Sequence, residues 1–153
     1  MDNKFFEKIR IFDGGMGQEL LSKGLISKGT LWSASALIEK EFHKLVIDAH
    51  ISYINAGADI IVTNNFSARK IRFIQNKVLD KFQYANEQAG ILANKAREIS
   101  KQNILIAGSL PSQSDTYVED ARSSSEIQSD FEEQAKIISP VSYTHLRAHE
   151  TSN

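Results

Sequence analysis

Short β-branched runs alternate along this chain with long amphipathic stretches, the signature of βαβ units built around a parallel sheet. Lys8-Ile9-Arg10-Ile11-Phe12 reads as a first strand closed by Asp13-Gly14-Gly15, and Asp59-Ile60-Ile61-Val62-Thr63 as a second closed by Asn64-Asn65. Asn103-Ile104-Leu105-Ile106-Ala107 reads as a third, closed by Gly108-Ser109. Each is short and apolar, as strands covered on both faces are. Between the first two, Phe42, Leu45, Val46, Ala49 and Tyr53 recur at spacings of three and four. They predict a helix with one apolar stripe that stops near Gly57, a natural residue just past a helix end. Between the second and third, Phe82, Ala85, Ala89, Leu92, Ala96 and Ile99 continue the same rhythm, with small residues that let the helix sit close to the strands. After the third, Ser123 with Glu126 fits a capping box, and Ile127, Phe131, Ala135 and Ile138 form a further stripe that runs to about Ser139.

Parallel neighbours require right-handed crossovers, so all strand C-termini point to one rim. Asp13, Asn64, Asn65 and Ser109 are therefore expected together at the end where both TIM barrels and doubly wound sheets bind ligands. The polar stretch from Ser112 to Ser125 suits a loop over such a rim.

Composition narrows the partners. The 18 basic and 19 acidic residues leave a formal charge of −1, so no long-range field favours nucleic acid or an anionic membrane surface. No apolar stretch approaches the roughly 20 residues of a membrane span. Met1-Asp2-Asn3-Lys4-Phe5-Phe6-Glu7 carries acids where a secretory signal would be basic and then apolar, which places the protein in the cytoplasm. Cysteine is absent, excluding disulfides, thiol nucleophiles and Cys-ligated zinc within these residues.

Asp13-Gly14-Gly15-Met16-Gly17 is the most informative run. A carboxylate at a strand end followed by glycines can meet a cationic ligand group while bare backbone comes within contact distance; equally, Asp13 can merely satisfy backbone N–H groups in a turn. A dinucleotide fingerprint is excluded, because Gly15-Met16-Gly17 would need glycine or alanine at position 20, which is Leu20. Trp32, in a loop before the first long helix, either walls a pocket or plugs the end of the fold. Asn64 and Asn65 offer amides to a polar substrate, or end the strand for local reasons. His43 and His50 fall on a helix remote from the ligand rim and read as structural or solvated.

The last residues, Val141-Ser142-Tyr143-Thr144-His145-Leu146-Arg147-Ala148-His149-Glu150-Thr151, break from the Lys/Ile/Asn-rich style of the rest. They resemble the translation of a sequencing adapter, so residues 140–153 are set apart from fold reasoning. His145 and His149, with Glu150 adjacent, have a spacing that suits two ligands on one helix face; as part of that tail they are read as no metal site.

Taken together, Phe12-Asp13-Gly14-Gly15-Met16-Gly17-Gln18-Glu19-Leu20, Leu31-Trp32-Ser33-Ala34, Ala56-Gly57-Ala58-Asp59-Ile60-Ile61-Val62-Thr63-Asn64-Asn65-Phe66 and Ala107-Gly108-Ser109-Leu110-Pro111 resemble the homocysteine S-methyltransferase family. The resemblance covers about Ile9 to Ser139. It departs where the family often reads Thr-Asn-Thr and this chain has Thr63-Asn64-Asn65. It implies an α/β fold, a (β/α)8 TIM barrel of which residues 1–139 supply the first three βα units, and transfer of a methyl group from a small donor to homocysteine to give methionine. It further implies zinc held by three cysteines lying later in the barrel, which convert the homocysteine thiol to a nucleophilic thiolate. Asp13 would help hold the homocysteine amino group, Gly14 and Gly15 would line the same pocket, and Trp32 would face the donor. Catalytic and metal residues are absent from this stretch, so the fragment is expected to be inactive and, with open sheet edges, unstable alone. The alternative is a non-catalytic binding or regulatory domain on the same barrel.

Overall fold

The computed structural model describes residues 5, 7–114, 119–140 and 145–148. The elements in order are helix α1 (Met16–Ser22), a 3₁₀ turn at Gly29–Ala34, α2 (Ser35–Ile38) and α3 (His43–Asn55). Strand β1 (Ile60–Val62), α4 (Lys70–Gln75), α5 (Phe82–Ser100), β2 (Leu105–Leu110), α6 (Ser124–Ile138) and β3 (His145–Ala148) follow. The sheet is parallel in the order β1-β2-β3, with Ile60 opposite Leu105 and Ala107 opposite His145. Each strand thus lies beside its predecessor in sequence, as βαβ winding demands.

The helices follow the apolar rhythm closely. α3 ends in a Schellman motif: Gly57, at φ +102°, donates to the Ile54 carbonyl and Ala58 to the Tyr53 carbonyl, the left-handed step that glycine takes without Cβ strain. α6 begins on the expected capping box, with Ser123 accepting from the Glu126 N–H while the Glu126 carboxylate accepts from Ser123. α5 buries Phe82, Ala85, Ala89, Leu92 and Ala96, whereas Ile99 at the end of its stripe is exposed. Only Ile138 of the α6 stripe is fully buried, because the helix turns Gln134 inward instead. Two apolar clusters result. Leu20, Leu37, Val46, Phe73 and Phe82 fill one among α1 to α5, with the Phe73 and Phe82 rings edge to face at 5.6 Å; Ile54, Ile61, Ala93, Ala96 and Ile106 fill the other against the sheet.

The strands differ from the sequence reading in three places. Lys8–Phe12 forms no regular strand: it meets β1 at the single bridge Phe12 to Ile60. The Asp59 carboxylate takes the Ile11 N–H at 2.9 Å, and the Asp59 and Ile60 N–H groups both converge on the Ile11 carbonyl. A side-chain acceptor here displaces a ladder partner. Ile9 and Ile11 remain exposed, with no layer to draw them inward. Second, Gly108 and Ser109 lie inside β2 rather than ending it; the strand stops before Pro111, which has no N–H for a ladder. Third, four residues set apart as tail take the edge position as β3. A strand edge presents unpaired N–H and C=O groups that any extended backbone satisfies, whatever its side chains. No helix among the described residues is long and apolar enough to cross a membrane.

Candidate functional site

At the C-terminal ends of the strands lies a cavity of about 290 Å³. The segment leading into α1 lines it with Asp13, Gly14, Gly15, Met16 and Gly17, and the 3₁₀ turn adds Trp32 and Ser33. The chain leaving β1 contributes Val62, Thr63, Asn64 and Phe66, and β2 contributes Ser109. The structure thus brings Asp13, Gly14, Gly15, Trp32 and Asn64 around one space, and leaves Asn65 outside its lining. His149 and Glu150 lie outside the described residues, and His43 and His50 are remote from the lining.

Asp13 is where the first segment leaves β1. Its N–H donates to the Ile60 carbonyl at 3.0 Å and its Oδ2 accepts from the Val62 N–H at 2.9 Å. One carboxylate oxygen therefore does hold backbone, the local role open to it, while the side chain also borders the cavity. Gly14 is required by packing: a Cβ there would stand 2.9 Å from the Tyr53 ring. At Gly15 a Cβ would meet nothing within 4 Å, so the bare backbone there opens onto the cavity and not onto a neighbouring side chain.

Trp32 adopts φ 47° and ψ −123°, a conformation that costs on the order of 1–3 kcal/mol and persists only where surroundings over-determine it. They do. Leu31 is buried, the Ser33 and Ser67 hydroxyls meet at 2.9 Å, Ala34 N–H donates to Ser67 Oγ at 3.0 Å, and Asn64 Nδ2 donates to the Ser33 carbonyl at 3.1 Å. Trp32 is 37% exposed.

Beneath the cavity floor runs a chain of buried amides. Asn65 Nδ2 donates to the Ser109 carbonyl at 2.8 Å and to Asn86 Oδ1 at 3.2 Å, while Thr63 Oγ1 donates to Asn65 Oδ1 at 2.6 Å and accepts from Ser109 N–H at 3.0 Å. Gln134 of α6 donates to Asn86 Oδ1 at 3.0 Å and accepts from Gln113 Nε2 at 2.6 Å. Asn65 is thus spent on fixing Thr63 and Ser109, two residues of the lining. Its position three residues past β1 gave no sign of this, because the partners come from α5, β2 and α6.

Two arginines hold the segment that follows β2. Arg122 holds Asp120 at 2.6 Å and Asp130 at 2.6 Å, and its hydrogen bonds draw the Asp120 carboxyl down to about 2. The Arg69 guanidinium donates to the carbonyls of Ser112 and Ser114, which ties the start of the polar loop after β2. Burial, with Glu19 and Asp13 nearby, pushes the Tyr53 phenol up. His50 is fully buried in α3, and burial lowers its pKa to about 4; it is a neutral core residue, in keeping with its sequence reading.

Chemically, the lining combines one ionisable group, Asp13, with glycine backbone, hydroxyl and amide groups, and the apolar side chains of Met16, Trp32 and Phe66. This suits a small zwitterion with a weakly polar arm; it supplies no nucleophile with an adjacent base. Nor do the residues fit zinc: the chain has no cysteine, and among the described residues no three His, Asp or Glu side chains converge. Met16, Gly17, Ser33, Val62, Thr63 and Phe66 were not assigned from sequence. Gly17 and Phe66 sat within the quoted motifs, but nothing local marked them as lining.

A family profile described as homocysteine S-methyltransferase matches residues 10–149. The homocysteine S-methyltransferase of Escherichia coli strain K12 is 32% identical over 115 residues, covering 68% of this chain and 35% of that protein. Homocysteine S-methyltransferase 1 of Zea mays is 36% identical over 64 residues, covering 42% of this chain and 19% of its own. Among solved structures, the homocysteine methyltransferase MmuM from Escherichia coli in its metallated form superposes with a TM-score of 0.78 at 25% identity, covering 95% of this chain and 56% of that one. The chain spans about a fifth to a third of the length of these curated relatives.

Proposed function

The chain belongs to the homocysteine S-methyltransferase family, and from that premise we propose that it forms the substrate-cradling part of a cytoplasmic TIM-barrel enzyme. That enzyme moves a methyl group from a small donor to the sulfur of homocysteine, giving methionine. The observation that carries this reading is a cavity at the strand C-termini lined by one ionisable group, Asp13, by glycine backbone and by the apolar side chains of Met16, Trp32 and Phe66. In it Asp13 receives the ammonium of homocysteine, an interaction strengthened by charge and by partial exclusion of water. Gly14 and Gly15 let the amino-acid end approach the backbone, Asn64 and the Asn65 amide hold the floor in register, and Trp32 faces the donor.

The thiolate chemistry that the family's zinc supplies rests on cysteines outside this sequence, and no step of it falls to the residues present. On this reading residues 1–139 are barrel, residues 140–153 are an adapter-derived tail, and the isolated chain is inactive. The absence of a nucleophile–base pair from the lining fits a non-catalytic binding barrel as well. Reading the uninterrupted frame separates the two: a Gly-Gly-Cys-Cys-type block with an earlier cysteine supports the enzyme. In the protein so encoded, Asp13→Ala should raise the KM for homocysteine by roughly 100-fold, the scale of a lost charge-assisted bond. An unchanged KM would end the assignment of Asp13.

A further inference from the structure

Gly17 is buried beside the cavity at the start of α1, and a Cβ there would stand 2.6 Å from Cη2 and 2.7 Å from Cζ2 of the Trp32 indole. Carbon atoms pack best about 3.5–4.0 Å apart, so any side chain at 17 displaces the ring by about 1 Å or prevents it from seating. Relief must come from the ring turning about its own side-chain bonds, because the backbone on both sides of Trp32 is pinned through Ser67 and Asn64 and the residue itself is held at positive φ. The position is otherwise unfavourable for glycine, which weakens a helix relative to alanine.

We infer that Gly17 is a positioning residue: by giving the indole a bare seat, it sets how far Trp32 stands into the cavity and so the room left for the methyl donor. The inference rests on the functional reading above. It predicts a sign inversion. With Trp32 present, Gly17→Ala lowers the melting temperature; with Trp32→Ala in place, the same change raises it by roughly 3 °C, since only the helix preference remains.

Trp32 is the chain's single tryptophan, so its fluorescence reports the seat directly. In the full chain, Gly17→Ala should at least double acrylamide quenching. In the protein encoded by the uninterrupted frame it should raise the donor KM about tenfold, in line with the penalty of an ångström-scale misplacement, and leave the homocysteine KM within about twofold. In the Trp32→Ala background the donor KM should not respond to Gly17→Ala. Equal effects with and without Trp32, or unchanged quenching, overturn the inference, as does a wild-type chain whose Trp32 is quenched like free indole. A wild-type protein without methyl transfer would sink the functional reading alone, the quenching comparison then deciding the seat. If Gly17→Ala prevents folding, recovery in the double variant supports the inference and continued unfolding refutes it.

Discussion

The two ends of α5 face different interiors. Toward its C-terminus, Ala93 and Ala96 pack with Ile54, Ile61, Ile104 and Ile106 in an apolar cluster against the sheet. Nearer its N-terminus, Asn86 joins Asn65, Gln113 and Gln134 in a buried amide chain below the cavity. Apolar burial is strong but non-directional, so it holds elements together without specifying where a given atom sits. Buried amides contribute less net stability but are costly to leave unpaired, which fixes their partners in angle and distance. The comparison teaches that adhesion is supplied by the sheet cluster and by Phe73 and Phe82, and that the placement of Thr63 and Ser109 is supplied by the amides.

Stability and binding should therefore separate, and the largest expected effect is on the apolar side. Phe73→Ala, at a fully buried ring, should lower unfolding stability by about 3–5 kcal/mol in urea titrations. Its effect on the homocysteine affinity of the folded fraction should be small; a matching loss of affinity would erase the distinction.

Next comes pH. The unfolded chain takes up a proton on His50 near its ordinary 6.5, but the buried ring resists until about 4. Stability present above 6.5 is lost as pH falls from 6.5 toward 4, by up to about 3 kcal/mol. Urea titrations across that window should show the slope in the wild type and lack it in His50→Leu. A wild-type curve as flat as the variant's would mean that the ring is not sealed from water.

On the polar side, Asn86→Leu should cost about 2 kcal/mol by removing the Oδ1 acceptor that the buried Asn65 and Gln134 amides share. Despite the smaller stability loss, ligand affinity should fall more than in Phe73→Ala; isothermal titration with homocysteine checks the order, and the reverse order breaks the comparison. Smallest, Ser123→Ala removes the α6 cap and should cost about 1 kcal/mol, seen as a lower urea midpoint with binding unaltered.

Helices were legible wherever one face repeats and a cap is encoded locally: Gly57 and the Ser123–Glu126 pair mark boundaries that the structure has. Strand limits were less legible, because pairing depends on a neighbour remote in sequence. Asp59 interrupts the first strand from 48 residues away. Pro111 and not Gly108 ends β2, since a glycine inside a parallel ladder still donates and accepts. Of the site, the Asp-Gly-Gly run and Trp32 stood out by residue type, but whether Trp32 walls or plugs was undecidable from its neighbours in the chain. The structure sets its ring against Gly17 and places it in the cavity lining.

Periodicity, capping residues and the order of apolar runs are local properties, and from them alone follow a βα alternation, a parallel sheet and a polar rim at its C-terminal edge. Which rim residue borders the cavity and which supports it from beneath is another matter. Asn64 and Asn65 are adjacent and identical in type, yet Asn64 lines the space while Asn65 is sealed against Asn86 and Ser109. Only packing of α5, β2 and α6 on the same turn separates them, because a buried amide's role is set by the donors and acceptors that distant segments bring to it.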